Sequence, residues 1–140
     1  MSRVFWDTNL FIYLFENYGT FSQATAALRG RMLSRGDQLF TSTLTLGEIL
    51  VKPTEKQDFV LCAKYEAAVT TASITLPFSL QAAKIYASLR CDRSLRAPDA
   101  IQLACAAGAG MDLFVTNDAR LHGKHVQGIQ FIVALDKVPI

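Results

Sequence analysis

The chain has 140 residues, 51% hydrophobic and 19% charged, with a formal net charge of +2. One domain spanning residues 1–140 is expected, burying roughly two-thirds of its unfolded surface on its own core, and the composition excludes disorder. So small a charge diagnoses no partner, and any nucleic acid would have to be held by local basic patches. Cys62, Cys91 and Cys105 are odd in number and lack CxxC spacing, which points away from disulfides or a zinc ribbon and toward a reduced, cytoplasmic setting. Only three apolar residues separate Arg3 from Asp7, too few for a signal-peptide core, and the apolar run Leu103 to Met111 falls far short of the ~20 residues of a membrane span. A soluble intracellular protein with no membrane partner is expected.

Val4 to Trp6 is the first β-type run, and it ends directly on Asp7. Phe11, Tyr13, Phe15, Tyr18 and Phe21 follow, most of them expected in the core and the rest available to a partner surface. Ala24, Ala27, Leu28 and Arg31 begin a helix face that Gly36-Asp37 ends, and Gln38 to Phe40 is the second strand. A helix beginning near Ser42-Thr43 carries Glu48 one turn in. Thr54-Glu55-Lys56-Gln57 has the form of a capping box, predicting a helix start ahead of Phe59, Cys62, Ala63, Glu66 and Ala67. After a third strand at Ser73 to Leu76, Ser79 caps a helix with Ala82, Ala83, Ile85, Tyr86 and Leu89 buried. Pro98 suits the first position of a helix burying Ala100, Leu103, Ala104 and Ala107. Leu113 to Val115 and Gln130 to Val133 complete five strands. Strands alternating with helices predict right-handed crossovers and an α/β fold, a five-stranded, mostly parallel sheet flanked by helices on both faces.

In such a sheet ligands bind beyond the carboxyl ends of the strands. Asp7 ends the first strand, Glu48 follows the second, Asp99 stands in the first turn of the Pro98 helix, and Asp118 follows the fourth strand. Singly, each is also what a helix cap or a solvated helix position would use. Together they predict four carboxylates on one edge, whose mutual repulsion calls for protonation or a cation. Carboxylates without accompanying Cys or His ligands favour Mg²⁺ or Mn²⁺, and such a site suits phosphodiester hydrolysis by an activated water.

Four stretches carry a resemblance: F-W-D-T-N at Phe5 to Asn9, T-S-T-L-T-L-G-E-I-L at Thr41 to Leu50, A-P-D-A-I-Q-L-A at Ala97 to Ala104 and L-F-V-T-N-D at Leu113 to Asp118. In this order and spacing they resemble the PIN-domain ribonucleases, particularly the VapC-type toxins of bacterial and archaeal toxin-antitoxin modules, over nearly the whole chain. The resemblance implies one PIN-like domain, Mg²⁺- or Mn²⁺-dependent endonucleolytic hydrolysis of RNA with tRNA or rRNA as candidate target, and 5′-phosphate and 3′-hydroxyl products. It also implies a homodimer and an antitoxin whose C-terminal segment occupies the groove near the active site. The family's acids carry over to Asp7, Glu48, Asp99 and Asp118, and its polar helpers to Asn9 and Thr116. Asp7, Asp99 and Asp118 become metal ligands, directly or through water, while Glu48 binds through water or orients the nucleophile. Many members carry a further acid shortly after Asp118, where this chain has Ala119 and Arg120. A second firmly held ion is therefore not implied, although substrate could recruit one.

Arg90, Arg93 and Arg96 recur every third residue ahead of Asp99, as RNA-phosphate contacts or as a solvated helix face. Arg29, Arg31 and Arg35 read better as a solvated face, and H-G-K-H at His122 to His125 as a loop without the further ligands of a zinc site. An aspartate-nucleophile phosphatase or a response-regulator-like switch would want a second acid close to Asp7, and there is no GxxxxGK[ST] phosphate loop. The remaining rival is a PIN-like module that binds RNA or protein without cleaving.

Overall fold

Alternation along V-F-W and L-F-V sends successive side chains to opposite faces of a sheet. In the computed structural model, which describes residues 1–140, Val4 and Trp6 of β1 (Arg3–Trp6) and Leu113 and Val115 of β4 (Met111–Val115) enter one buried cluster. Phe5 and Phe114 enter the other, their rings stacked with centroids 5.0 Å apart. With β2 (Gln38–Ser42), β3 (Ile74–Leu76) and β5 (Ile129–Val133) they make a wholly parallel sheet in the order β3-β2-β1-β4-β5. Helices α1 (Thr8–Phe15), α2 (Thr20–Arg35), α3 (Thr43–Glu55) and α4 (Phe59–Ala72) give Phe11, Leu28, Ile49 and Val69 to the Trp6 face. Helices α5 (Leu80–Leu89) and α6 (Ala97–Ala109) give Ala82, Leu103 and Ala104 to the Phe5 face. Cover on both faces is why the central strands β1 and β4 carry consecutive buried apolar residues, Val4 to Trp6 and Leu113 to Val115, while the edge strands β3 and β5 stay partly exposed. All five expected strands form, with ends shifted by up to two residues. No helix is long and apolar enough to cross a membrane.

Several expectations need correction. The inward face of α2 is Thr25, Leu28 and Met32, whereas Ala24, Ala27 and Arg31 face solvent. The bulkier apolar Met32 outweighs the alanines, and the Thr25 hydroxyl is satisfied by the Phe21 carbonyl at 2.8 Å. The predicted capping box is the end of one helix rather than the start of another. Helix α3 runs through a buried Pro53 to Glu55, Gln57 turns the chain with φ +56°, and Asp58 caps α4 by accepting from the Leu61 amide at 3.1 Å. Pro98 stands second in α6, behind Ala97, where its missing N–H is equally harmless. Of the early aromatic residues only Phe11 is fully buried. Tyr13 packs on Tyr18 and Phe21, which are about half exposed, while Phe15 stacks on Tyr65. Ser79 caps α5 as expected, its hydroxyl accepting from the Ala82 amide at 3.1 Å.

Candidate active site

Strand β1 is where the winding reverses, with β2 and β3 on one side and β4 and β5 on the other. The crevice between the carboxyl ends of β1 and β4 is therefore the expected binding position. Trp6 pairs with Val115, so the next residues, Asp7 and Thr116, emerge side by side. Their amides extend the ladder, Asp7 donating to the Val115 carbonyl and Thr116 to the Val133 carbonyl, each at 3.0 Å. The Thr116 hydroxyl donates to Asp7 Oδ2 at 2.7 Å, and the Thr8 amide donates to Oδ1 at 2.8 Å. Asp7 thus caps α1 while lying almost fully buried. Burial pushes its carboxyl up to about 6, against the opposing hydrogen bonds from Thr116 and Thr8 and with help from the charges of Asp99 and Glu48. Thr116 is saturated, since its oxygen also accepts from the Asp118 amide at 3.0 Å and from Asn9 Nδ2 at 3.4 Å.

Glu48 projects from α3 toward α1, where the Thr8 hydroxyl donates to its Oε1 at 2.6 Å. Behind them lies Gln102, a buried amide on the otherwise apolar inner face of α6. The Ser42 hydroxyl donates to Gln102 Oε1, and Gln102 Nε2 donates to Thr8 at 3.1 Å and to Thr45 at 2.7 Å. Thr45 and Thr41 share a 2.8 Å bond, and Thr41 donates to the Trp6 carbonyl at 3.0 Å. Only one proton arrangement satisfies all of these groups. Gln102 spends one N–H on each threonine, Thr8 passes its own proton to Glu48, and Thr45 passes its proton to Thr41.

Asp99, in the first turn of α6, lies 3.4 Å from Arg96 Nε. Asp118 caps the 3-10 turn Ala119–Leu121, accepting from the Arg120 amide at 3.1 Å. The Arg120 guanidinium returns on the same carboxylate, Nε on Oδ1 at 2.9 Å and Nη2 on Oδ2, and Nη2 also lies 3.9 Å from Asp99 Oδ2. The Arg120 hydrogen bond holds the Asp118 carboxyl below the usual carboxylate range. His122 Nε2 bonds the Thr116 carbonyl at 2.7 Å, so this histidine braces the loop that carries the site.

All four acids line one cavity of about 230 Å³ with Thr8, Asn9, Ile12, Pro98 and Gln102. No three His, Cys, Asp or Glu side chains stand close enough to enclose one ion directly. Asp7, Asp99 and Asp118 therefore share a wall rather than forming a closed cage. A lining with four carboxylates and no Cys or His, in which Asp7 has no cationic partner, suits a hard divalent cation that takes one or two carboxylates and fills its remaining positions with water. Of the three arginines ahead of Asp99, only Arg96 contacts one of the acids. Arg90 lies over the Tyr86 ring and donates to its hydroxyl at 2.9 Å, and Arg93 is exposed. The earlier trio is structural rather than merely solvated: Arg29 donates to the Ala72 carbonyl, Arg31 to the Ile140 carbonyl, and Arg35 pairs with Asp37. Sequence reasoning missed Thr8, Gln102 and Arg120. The one available signal was a lone amide inside A-I-Q-L-A-C-A-A.

The similarities to known proteins agree with this fold. Three solved structures share the fold. VapBC2 from Rickettsia felis bound to a promoter DNA fragment has a TM-score of 0.74 at 12% identity, over 94% of this chain and 97% of that one. DNA-bound VapBC from Salmonella typhimurium has a TM-score of 0.69 at 21% identity, over 96% and 99%. A toxin-antitoxin complex from Klebsiella pneumoniae has a TM-score of 0.64 at 22% identity, over 94% and 100%. Comparison with curated protein sequences returns no match. The family model of the PIN domain matches residues 4–125, which spans β1 through the loop beyond Asp118 and includes all four acids, and the chain belongs to the PIN domain family.

Proposed function

We propose that this chain is a VapC-type toxin, a cytoplasmic endoribonuclease that uses Mg²⁺ or Mn²⁺ and is held in check by an antitoxin. The observation that carries the reading is the convergence of Asp7, Glu48, Asp99 and Asp118 on one cavity from four separate elements. The three similar structures being toxin-antitoxin complexes supports the antitoxin partner. Homodimerisation and a tRNA or rRNA target belong to the same proposal.

Asp7, Asp99 and Asp118 would hold the ion. What Mg²⁺ or Mn²⁺ supplies when bound is neutralisation of these charges, polarisation of the phosphoryl group and an attacking water of lowered pKa. Thr116 and the Thr8 amide fix both oxygens of Asp7, so its orientation is set before any ligand arrives. Glu48, with Oε1 held by Thr8, orients the water and accepts its proton through the carboxylate's remaining lone pairs. Water attacks phosphorus as its proton passes to Glu48, the bond to the 3′ oxygen breaks, and that oxygen takes a proton from solvent, giving 5′-phosphate and 3′-hydroxyl ends. The competing reading is a module that binds RNA or protein without cutting, and the presence of all four acids on one cavity weighs against it.

The test is incubation of purified, antitoxin-free protein with total RNA and Mg²⁺ or Mn²⁺, followed by mapping of cleavage sites. Cleavage by the wild type and its loss in Asp7→Asn and Asp99→Asn are expected. RNA bound but left intact under both ions would replace the nuclease with the binding module.

A further inference from the structure

A cavity lined by four carboxylates repels the phosphodiester it is proposed to cut, and the protein must offset that repulsion with a placed positive charge as well as an ion. Arg120 is placed for this. Its Nε and Nη2 take the two oxygens of Asp118, with Nη2 also 3.9 Å from Asp99, so the guanidinium plane is fixed at the rim between two of the four acids. Nη1 makes no bond to the protein, and the side chain is 54% exposed. A guanidinium can satisfy a carboxylate along one edge while keeping further N–H donors for a phosphate, a geometry lysine cannot reproduce. Other nearby cations are engaged differently. Arg96 reaches Asp99 through Nε with a 62% exposed side chain, Arg90 lies on Tyr86, and Lys124 pairs with Asp92.

We infer that Arg120 is a substrate-binding residue that bridges Asp118 and an RNA phosphate, with Asp118 fixing the guanidinium and Nη1 contacting the phosphate oxygen. The inference rests on reading the cavity as an RNA-processing site, and its test is independent of cleavage.

Binding of a short single-stranded RNA is measured in the Asp7→Asn protein, so that turnover does not intervene, over a range of salt concentrations with Mg²⁺ present. Adding Arg120→Ala should weaken binding about tenfold and lower the slope of log K against log salt by about 0.7, the value for one single-strand phosphate contact. Arg120→Lys should restore the slope while recovering only part of the affinity. Arg31→Ala, at a residue bonded to the Ile140 carbonyl, should leave both unchanged. A clamp acting only on Asp118 would not move the salt slope. Unchanged affinity and slope in a folded Arg120→Ala protein overturn the inference, as does failure of the Asp7→Asn parent to bind RNA. If the wild type cuts no RNA but the slope change is found, the nuclease reading falls and Arg120 remains an RNA contact.

Discussion

Thr116 gives its hydroxyl proton to Asp7 Oδ2 across 2.7 Å, joining the residues that directly follow two paired central strands. The bond favours the ionised carboxyl, yet burial wins and Asp7 sits at about 6 against an ordinary 3.8. Between those values the unfolded chain has released a proton that the folded chain keeps, so folding stability falls as pH rises through this window and is flat above it. At about 1.4 kcal/mol per pH unit the penalty approaches roughly 3 kcal/mol near neutrality.

Asp7→Asn removes that penalty at the cost of one imperfect hydrogen bond to Thr116. Without divalent ions at pH 7.5 the variant should be more stable by about 1–2 kcal/mol, a gain of several degrees in melting temperature. The gain should shrink as pH falls from 6 toward 4 and turn into a small loss below the ordinary carboxyl value of 3.8, where wild-type Asp7 is protonated in both states and only the poorer hydrogen bond to Thr116 remains. Thermal melts across this range check it, and a gain independent of pH would show that the buried charge is not the cause.

Gln102 links Ser42 to Thr8 and Thr45 through both ends of its amide. Gln102→Leu fills similar space but strands the Ser42 donor and leaves both threonines an acceptor without its partner. Urea unfolding should show a loss of about 2–3 kcal/mol. Gln102→Glu keeps the acceptor for Ser42 but presents an oxygen to Thr8, whose proton can then turn away from Glu48. Cleavage should fall by at least about tenfold while KM changes little, as expected when a proton-accepting group loses its orientation. Equal kcat in Gln102→Glu and wild type would mean that Glu48 does not depend on this chain of bonds.

What the sequence made legible follows from where single residues carry the signal. The five strands stood out because a doubly covered sheet needs continuous apolar runs, and the acids stood out because they interrupt them. Helix α1 did not. In T-N-L-F-I-Y-L-F the apolar residues run almost without interruption, because Leu10 and Phe11 fill the core, Tyr13 meets Phe21 and Phe15 meets Tyr65, leaving no polar face to mark the period. Alanines blurred the face of α2 in the same way. The side chains of Gln102 and Thr8 join the site through partners 40 to 94 positions away, as the Thr8–Glu48, Gln102–Thr45 and Gln102–Thr8 bonds show, and no local pattern reports such contacts. In the sequence Arg120 registers only as the lack of an acid, whereas in the fold it brings a cation to Asp118 and Asp99.

The misplaced helix start gives a direct comparison between two neighbouring caps. Asp58 accepts from the Leu61 amide, whereas the Thr54 hydroxyl meets only the Cys62 sulfur at 3.6 Å. Asp58→Ala should cost about 1 kcal/mol, as loss of a helix N-cap typically does. Thr54→Ala, on an exposed residue in the last turn of α3, should cost less than half as much. The reverse order in chemical denaturation would restore Thr54 as the cap.

Metal binding can be read without cleavage, because an ion that binds only the folded chain raises its stability. At a hundredfold excess over its dissociation constant the gain is about 2.7 kcal/mol. Mn²⁺ or Mg²⁺ at neutral pH should therefore raise the wild-type melting temperature by several degrees, and chelation should reverse it. The shift should be largest where Asp7 is ionised and fade below pH 5, because protonating this carboxyl removes both its charge and a ligand oxygen. Asp99→Asn should lose most of the shift, while Arg120→Ala should keep or enlarge it by releasing the Asp118 oxygens that the guanidinium holds. A shift of equal size in Asp7→Asn, Asp99→Asn and wild type would place the ion elsewhere on the protein and remove the cavity's claim to it.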